Sequence, residues 1–192
     1  MEAIFLACGA GGPQLKRNPL GGGELMFCTV LHSLKSPTNV GGIVRSHVAF
    51  GGSEVVFVGY REPWSFRKGS QAFSRKLERL CELVFLRNDA EYFAWASSHG
   101  YSTVAVEVSE HAFPIHEFSF PLVTALAFGN EAAGLSESFL AACDAAVRIP
   151  QFGPVGSLNV AAAAAIAMHE LLRGRALERP VLGHKFVAER AE

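Results

Sequence analysis

The chain has 192 residues, of which 49% are hydrophobic and 18% are charged, and its formal net charge at pH 7 is −1. This composition is typical of a single folded domain and argues against extensive disorder. It also excludes a uniformly basic nucleic-acid-binding surface, so any contact with a polyanion would need a local basic patch.

The N-terminal segment is rich in Gly and Pro and shows no hydrophobic periodicity, so we predict that residues 1–23 form a flexible tail. A phosphate-binding glycine loop is the alternative, but no strand is predicted before it and the G-K-[ST] ending is absent. Residues 24–175 are predicted to form the folded domain, and residues 176–192 a C-terminal tail.

Strand-like apolar segments alternate with segments of helical spacing along the predicted domain. The strand-like segments are 24–31, 53–60, 81–86, 101–108, 121–129 and 145–150, and the helical segments are 36–52, 70–80, 88–100, 135–144 and 155–174. Continuous apolar strands that alternate with helices are typical of a parallel sheet with both faces covered. We therefore predict an α/β fold with a mostly parallel sheet and helices on both faces.

Potential metal ligands are scattered along the chain. The four cysteines, Cys8, Cys28, Cys81 and Cys143, form no C-x-x-C pair, and the seven histidines show no ligand spacing, so we expect no metal site. We interpret Cys28 and Cys81 as core residues of a protein in the reducing cytoplasm. No apolar run is long enough to span a membrane, and an acidic residue follows Met1, which argues against a signal peptide.

The first helical segment, SPTNVGGIVRSHVAFGG, carries an inward apolar stripe, with Arg45 off that stripe and Asn39 as a natural N-cap. Gly41 and Gly42 lie one turn before Arg45, in the direction in which a helical side chain leans. The glycines either clear the surface that Arg45 covers or let the helix pack close to a strand, and the sequence leaves both readings open.

The apolar strand at 121–129 runs into the sequence FGNEAAG. In open parallel sheets, ligands bind beyond the carboxyl ends of strands. Gly129 would permit close backbone approach there, and Glu131 would supply a carboxylate at the rim. The alternative is an ordinary strand-to-helix turn in which Ser136 caps the next helix and Glu131 is exposed.

The last helical segment opens with Ser157 and Asn159 and continues into five consecutive alanines. Free N–H groups at a helix start favour polar or anionic ligands, whereas a simple cap by Ser157 is the alternative. The alanines remove side-chain bulk, so another helix or backbone can pack closely against them.

These three segments resemble, in order and in spacing, the three motifs of the SpoU (TrmH-like) branch of the SPOUT superfamily, which are RNA ribose 2′-O-methyltransferases. The matching residues are Asn39, Gly41, Arg45, Phe50 and Gly51 in the first motif, Gly129, Glu131, Gly134, Leu135, Asp144, Ile149 and Pro150 in the second, and Ser157, Leu158, Asn159 and Val160 in the third.

The resemblance implies a C-terminal trefoil knot, S-adenosylmethionine as the methyl donor and a homodimer formed through the knot region. The implied donor-binding residues are Phe128, Gly129, Asn130, Ile149, Gln151, Ser157 and Leu158. The implied catalytic residues are Arg45, Asn39, Glu131, Ser157 and Asn159. Arg45 is the base proposed in this family, yet a guanidinium is protonated at neutral pH. The alternative is that Arg45 orients a phosphate or hydroxyl, and both roles stay open.

The basic stretch YREPWSFRKGSQAFSRKLERL is the predicted RNA-binding surface. Its cations, together with Arg45, could contact phosphates, and Trp64 and Phe66 could stack on unpaired bases. The predicted RNA-binding residues are Arg45, Arg61, Arg67, Lys68, Arg75 and Lys76. The alternative is a solvated loop and helix face.

The sequence therefore predicts a methyltransferase that acts on a ribose 2′-hydroxyl of tRNA or rRNA. One alternative is a non-catalytic RNA-binding homodimer that keeps the fold, against which the intact motif residues argue. Another is an ordinary doubly wound nucleotide-binding enzyme, which would need a G-x-G-x-x-G turn after the first strand. In the predicted dimer the alanine helix lies at or near the interface, with apolar area from Ile166, Met168, Leu171 and Leu172.

Overall fold

The computed structural model describes residues 4–5, 25–60, 64–66 and 68–173. Eight strands form one sheet: β1 (Ile4–Phe5), β2 (Met26–His32), β3 (Glu54–Val58), β4 (Glu82–Leu86), β5 (Ser102–Val106), β6 (Phe113–Pro114), β7 (Val123–Phe128) and β8 (Ala145–Arg148). The α-helices are α1 (Pro37–Ala49), α2 (Lys68–Ser74), α3 (Asp89–Ser98), α4 (Glu137–Ala142) and α5 (Val160–Leu172), and short 3₁₀ helices span Leu77–Leu80 and Ile115–Glu117.

The strand order in the sheet is β1-β4-β3-β2-β7-β5-β8-β6. Strands β2 to β8 run parallel to their neighbours, and β1 pairs antiparallel with β4. The predicted α/β class and mostly parallel sheet are confirmed. The pair Ile4–Phe5 falls within the predicted N-terminal tail. Residues 1–3, 6–24 and 174–192, which contain the rest of both predicted tails, lie outside the described residues.

Each face of the sheet carries its own apolar core, because successive strand residues point to opposite sides. Phe27, Leu31 and Phe57 pack in one core with side chains of α1 and α5. Val30 and Val56 pack in the other with side chains of α3 and α4, and Cys28 is fully buried there. The predicted helices on both faces are thus confirmed. No helix in the described part of the chain is long and apolar enough to cross a membrane.

The helix predicted at 70–80 is broken in the structure. Helix α2 ends at Ser74, and Arg75 and Lys76 then adopt left-handed backbone angles, with φ of 54° and 61°, before the 3₁₀ turn. A buried hydrogen bond spans the break, in which Ser74 Oγ donates to Glu78 Oε2 at 2.5 Å. This buried hydrogen bond links the end of α2 to the 3₁₀ helix across the break.

Gly41 and Gly42 serve the packing of α1 against two other helices. A Cβ on Gly41 would lie 2.4 Å from the Ser70 carbonyl oxygen of α2, and one on Gly42 would lie 3.3 Å from the Ala161 Cβ of α5. Close packing against helices, rather than against a strand, therefore accounts for the pair. The consequence is that the first and third motifs lie side by side.

One face of α5 is buried in the core, and the opposite face is exposed. Ala164, Ala167, Met168 and Leu171 are buried in the core, whereas Ile166 is exposed. The apolar area predicted for a dimer interface is thus wrong for Met168 and Leu171, because both side chains are already covered by the chain's own sheet.

Candidate active site

A cavity of about 530 Å³ opens at the carboxyl ends of β5, β7 and β8, which are adjacent in the sheet. Its walls come from the strand ends, from the loop after β7 and from the segment that leads into α5. They include every residue predicted to bind the donor, namely Phe128, Gly129, Asn130, Ile149, Gln151, Ser157 and Leu158. Asn39 of α1 also lines the cavity, so the parallel topology gathers residues of all three motifs.

A chain of hydrogen bonds joins all three motifs beside this cavity. Asn39 Nδ2 donates to Glu131 Oε1 at 3.1 Å, and Asn159 Nδ2 donates to Asn39 Oδ1 at 3.0 Å. Asn39 is only 8% exposed, so both ends of its amide are satisfied where unpaired groups would be costly. The three side chains therefore hold α1, the loop after β7 and α5 in one arrangement.

The helix caps differ from the predicted ones. Ser36, not Asn39, is the N-cap of α1, because Pro37 opens the helix and places Asn39 inside its first turn. Asn159, not Ser157, is the N-cap of α5, and its Oδ1 accepts from the Ala161 N–H at 2.9 Å. Ser136 caps α4, as in the alternative interpretation of the turn after β7.

The Glu131 carboxylate accepts from three donors at the start of α1. Its Oε2 accepts from the Lys35 N–H at 3.0 Å, and its Oε1 accepts from the Ser36 N–H at 2.9 Å as well as from Asn39. Burial alone would raise the pKa of Glu131, but these hydrogen bonds outweigh it and lower the pKa below the usual value. Glu131 is therefore ionised at neutral pH, and its carboxylate ties the loop to α1.

Asn130 and two glycines shape the loop after β7. Asn130 Nδ2 donates to the Ser33 carbonyl oxygen at 2.7 Å, and Asn130 Oδ1 accepts from the Ala132 N–H at 3.0 Å. A Cβ on Gly129 would lie 2.2 Å from the Gly134 carbonyl carbon, so the loop closes tightly on itself. The glycine at 129 is thus required by the loop's own backbone.

Glu107 lines the cavity and was not identified from the sequence. Its Oε2 accepts from the Leu135 N–H at 3.0 Å, and Gly134, with φ of 67°, leaves room for the carboxylate. The available signal was its position directly after the apolar strand β5, at the same sheet edge as the loop after β7. Glu107 therefore ties the far end of that loop to β5.

Comparison with known proteins identifies the family. The model of the SpoU rRNA Methylase family matches residues 26–169, which include all three motifs. The chain belongs to this family. The resemblance seen in the sequence is thereby confirmed.

Two of the curated relatives are longer than this chain. The 23S rRNA (uridine(2479)-2'-O)-methyltransferase of Streptomyces viridochromogenes is 33% identical over 144 residues, which cover 73% of this chain and 50% of the relative. The tRNA (guanosine(18)-2'-O)-methyltransferase TARBP1 of Mus musculus is 31% identical over 75% of this chain and 9% of the relative. The chain thus spans half or less of the length of these relatives.

Solved structures share the fold of the described domain. The SpoU methyltransferase AviRb of Streptomyces viridochromogenes, in complex with AdoMet, has a TM-score of 0.73 at 26% identity and covers 85% of this chain and 66% of that chain. The AdoMet-bound rRNA methyltransferase of Sinorhizobium meliloti has a TM-score of 0.73 at 26% identity, over 78% of this chain and 57% of that chain.

Arg45 and Ser157 differ in how they relate to the cavity. Ser157 is exposed and lines it, whereas Arg45 is exposed on α1 and does not. Arg45 lies six residues after Asn39 on α1, which places it more than one helical turn away from the residue of α1 that lines the cavity. The structure thus brings Asn39, Glu131, Ser157 and Asn159 together, with Arg45 on the adjoining surface.

Part of the predicted RNA-binding stretch is described. Arg75 and Lys76 are exposed, whereas Arg61, Arg67 and the Lys68 side chain lie outside the described residues. The rings of Trp64 and Phe66 both pack against Phe57, with centroid distances of 6.1 and 6.3 Å. Both side chains are half-buried in this aromatic cluster. They are therefore engaged by the core, and the prediction that they stack on bases does not fit their surroundings.

Proposed function

We propose that this chain is an S-adenosylmethionine-dependent methyltransferase that acts on a ribose 2′-hydroxyl of tRNA or rRNA. The observation that carries the proposal is the hydrogen-bonded chain Glu131–Asn39–Asn159, which unites the three family motifs at the cavity rim. Relatives named as 2′-O-methyltransferases of tRNA or rRNA support the reaction, and AdoMet-bound SpoU structures support the donor.

The cavity fits the proposed donor in size and lining. Its volume lies in the range of small-molecule sites, and its walls combine apolar side chains with polar ones such as Glu107 and Gln151. Ile149 and Leu158 offer apolar surface to a nucleobase, and backbone atoms around Gly129 offer hydrogen bonds. When bound, S-adenosylmethionine supplies a methyl group that is already activated. The protein's task is therefore to align the acceptor hydroxyl and let its proton leave.

The chain's own residues divide this task. Glu131 and Asn39 act as positioning residues, because they fix the start of α1 against the loop after β7. Ser157 lines the cavity where the acceptor hydroxyl would approach. Arg45 orients a phosphate or hydroxyl of the RNA, since a guanidinium offers five N–H donors and no acceptor. The proton then leaves to water late in the transfer.

We further propose that α5 lies in a C-terminal trefoil knot and at the interface of a homodimer, and that the protein works in the cytoplasm, where tRNA and rRNA are available. The knot is proposed from the resemblance of the three motifs to the SPOUT superfamily, and the close packing of α5 against α1, at Gly42 and Ala161, is compatible with it. Support for the dimer comes from the exposed apolar side chain of Ile166 on the outer face of α5.

The test is methyl transfer from radiolabelled S-adenosylmethionine to purified tRNA and rRNA, followed by nuclease digestion and identification of the labelled nucleoside. We expect a 2′-O-methylnucleoside, and its position follows from mapping 2′-O-methyl sites in cells with and without the gene. Arg45→Ala should abolish transfer while donor affinity stays within a few-fold. RNA binding without any methyl transfer would instead support the non-catalytic alternative.

A further inference from the structure

An aromatic side chain on α2 is exposed next to the N-terminal half of α1. Phe73 is 46% exposed, although its Cβ lies against α1, 2.9 Å from where a Gly41 Cβ would be. The base of the side chain is thus held by the α1–α2 contact, and the ring extends into solvent. A rigidly anchored, open aromatic ring is the feature that nucleobase stacking requires.

Arg45 lies on the same side of α1 as the Phe73 contact. It follows Gly41 by four residues, and residues four apart lie on one helix face. Helical side chains lean back over the preceding turn, so the exposed Arg45 side chain covers the surface beside Gly41. Phe73 and Arg45 therefore both lie on the side of α1 that faces α2.

Two more cations follow Phe73 directly. Arg75 and Lys76 are both exposed, and their left-handed backbone turns the chain at the end of α2. The aromatic ring is thus accompanied by positive charge from α1 and from its own segment. Since the whole chain has a net charge of only −1, this is the local basic patch that a polyanion would need.

We propose that an unpaired base of the RNA stacks on Phe73 while Arg45, Arg75 and Lys76 contact the flanking phosphates. This inference rests on the proposed function and adds to it the kind of RNA that the site accepts. A stacked base on Phe73, next to Arg45, would hold the strand against α1 and α2. The accepted RNA is therefore single-stranded where it contacts Phe73, as in a loop or a bulge, because paired bases cannot splay onto the ring.

The test uses a 12-nucleotide uridine oligoribonucleotide that carries one 5-iodouridine, which photocrosslinks to a stacked aromatic side chain. We expect the crosslink to map to the peptide that contains Phe73. Phe73→Leu should weaken binding of the oligonucleotide, measured by fluorescence anisotropy, by about five-fold or more, and Phe73→Trp should retain it. Phe113→Leu is the matched control. Phe113 is also an exposed phenylalanine, but it lies on the edge strand β6 and not on α2.

The affinity for S-adenosylhomocysteine, measured by calorimetry, should be the same in all variants and shows that they are folded. Absence of oligonucleotide binding by the wild type, crosslinks that map elsewhere, or wild-type affinity of Phe73→Leu would overturn the proposal. A change in sedimentation without a change in RNA affinity would also overturn it, since a second copy would then occupy this surface. A Phe73 crosslink without methyl transfer would contradict the proposed function and leave the stacking site standing.

Discussion

Asn39 joins the three motifs, because one atom of its side-chain amide donates a hydrogen bond and the other accepts one. The Nδ2 group donates to Glu131, and the Oδ1 atom accepts from Asn159. Replacing Asn39 by Asp keeps the shape, removes the donor and sets a second carboxylate against Glu131. We expect Asn39→Asp to lower the rate of methyl transfer by about ten-fold or more, because an unpaired buried charge is costly.

The second variant in this series is Asn39→Asp combined with Glu131→Gln, in which an amide again faces a carboxylate, and it should recover part of the lost rate. Asn88→Asp is the control, because Asn88 caps α3 and Asp is an equally good cap. Single-turnover methyl transfer measures the effect, and a wild-type rate in Asn39→Asp would show that the bridge is dispensable.

His47 couples the stability of the fold to pH. Its ring is fully buried and Nδ1 lies 2.8 Å from Thr29 Oγ1. Burial lowers the pKa of His47 to about 3, even though hydrogen bonds with the backbone of Ser53 and Gly52 act to raise it. Between the ordinary pKa of 6.5 and this value, the unfolded chain binds a proton that the folded chain does not. Stability is therefore complete above pH 6.5 and declines as the pH falls.

We expect the free energy of unfolding in urea to drop by about 1.4 kcal/mol between pH 7.5 and pH 5.5 because of His47. His47→Gln should lose this component, whereas His169→Gln, which changes an exposed histidine, should keep it. The same pH dependence in His47→Gln and in the wild type would contradict the assignment.

At the scale of elements, the close packing of α1 against α2 decides the geometry of the site's first motif. Gly41→Ala would force a Cβ to within 2.4 Å of the Ser70 carbonyl oxygen, a backbone atom that cannot move without its helix. We expect this variant to lose about 1–3 kcal/mol of stability, even though Ala favours helices over Gly. Urea denaturation measures the loss. Gly153→Ala, where a Cβ meets open space, should unfold like the wild type, and equal stability of both variants would refute the packing argument.

At the scale of the whole molecule, we expect substitutions on the exposed face of α5 to change assembly and substitutions on its buried face to unfold the chain. Ile166 is exposed, so Ile166→Glu should convert the proposed homodimer into a folded monomer. Ala164 is fully buried, so Ala164→Glu should instead unfold the chain, because it places a charge in the core. Sedimentation at micromolar concentration and circular dichroism separate the two results. A wild-type monomer that methylates RNA would contradict the dimer.

Those parts of the architecture that depend on local pattern could be predicted from the sequence. Buried parallel strands are continuously apolar, so β2, β3, β4, β5, β7 and β8 were recognised, and the order and spacing of three motifs indicated the family. The two-residue strands β1 and β6 carry too little pattern to be recognised. The break at Arg75 and Lys76 leaves no trace in the apolar pattern, and neither does the buried Ser74–Glu78 hydrogen bond that spans it.

What each motif residue contacts was decided by the tertiary structure. Asn39 had the chemistry of a cap, but its side-chain partners lie 92 and 120 residues away, and only the parallel sheet brings them together. The same holds for Glu107, which meets the loop after β7 because β5 and β7 are neighbours. Trp64, Phe66 and Phe73 are equally aromatic in the sequence, yet the core engages the first two and leaves the third exposed. Residue type thus set the available chemistry, and burial against distant elements determined which side chains can use it.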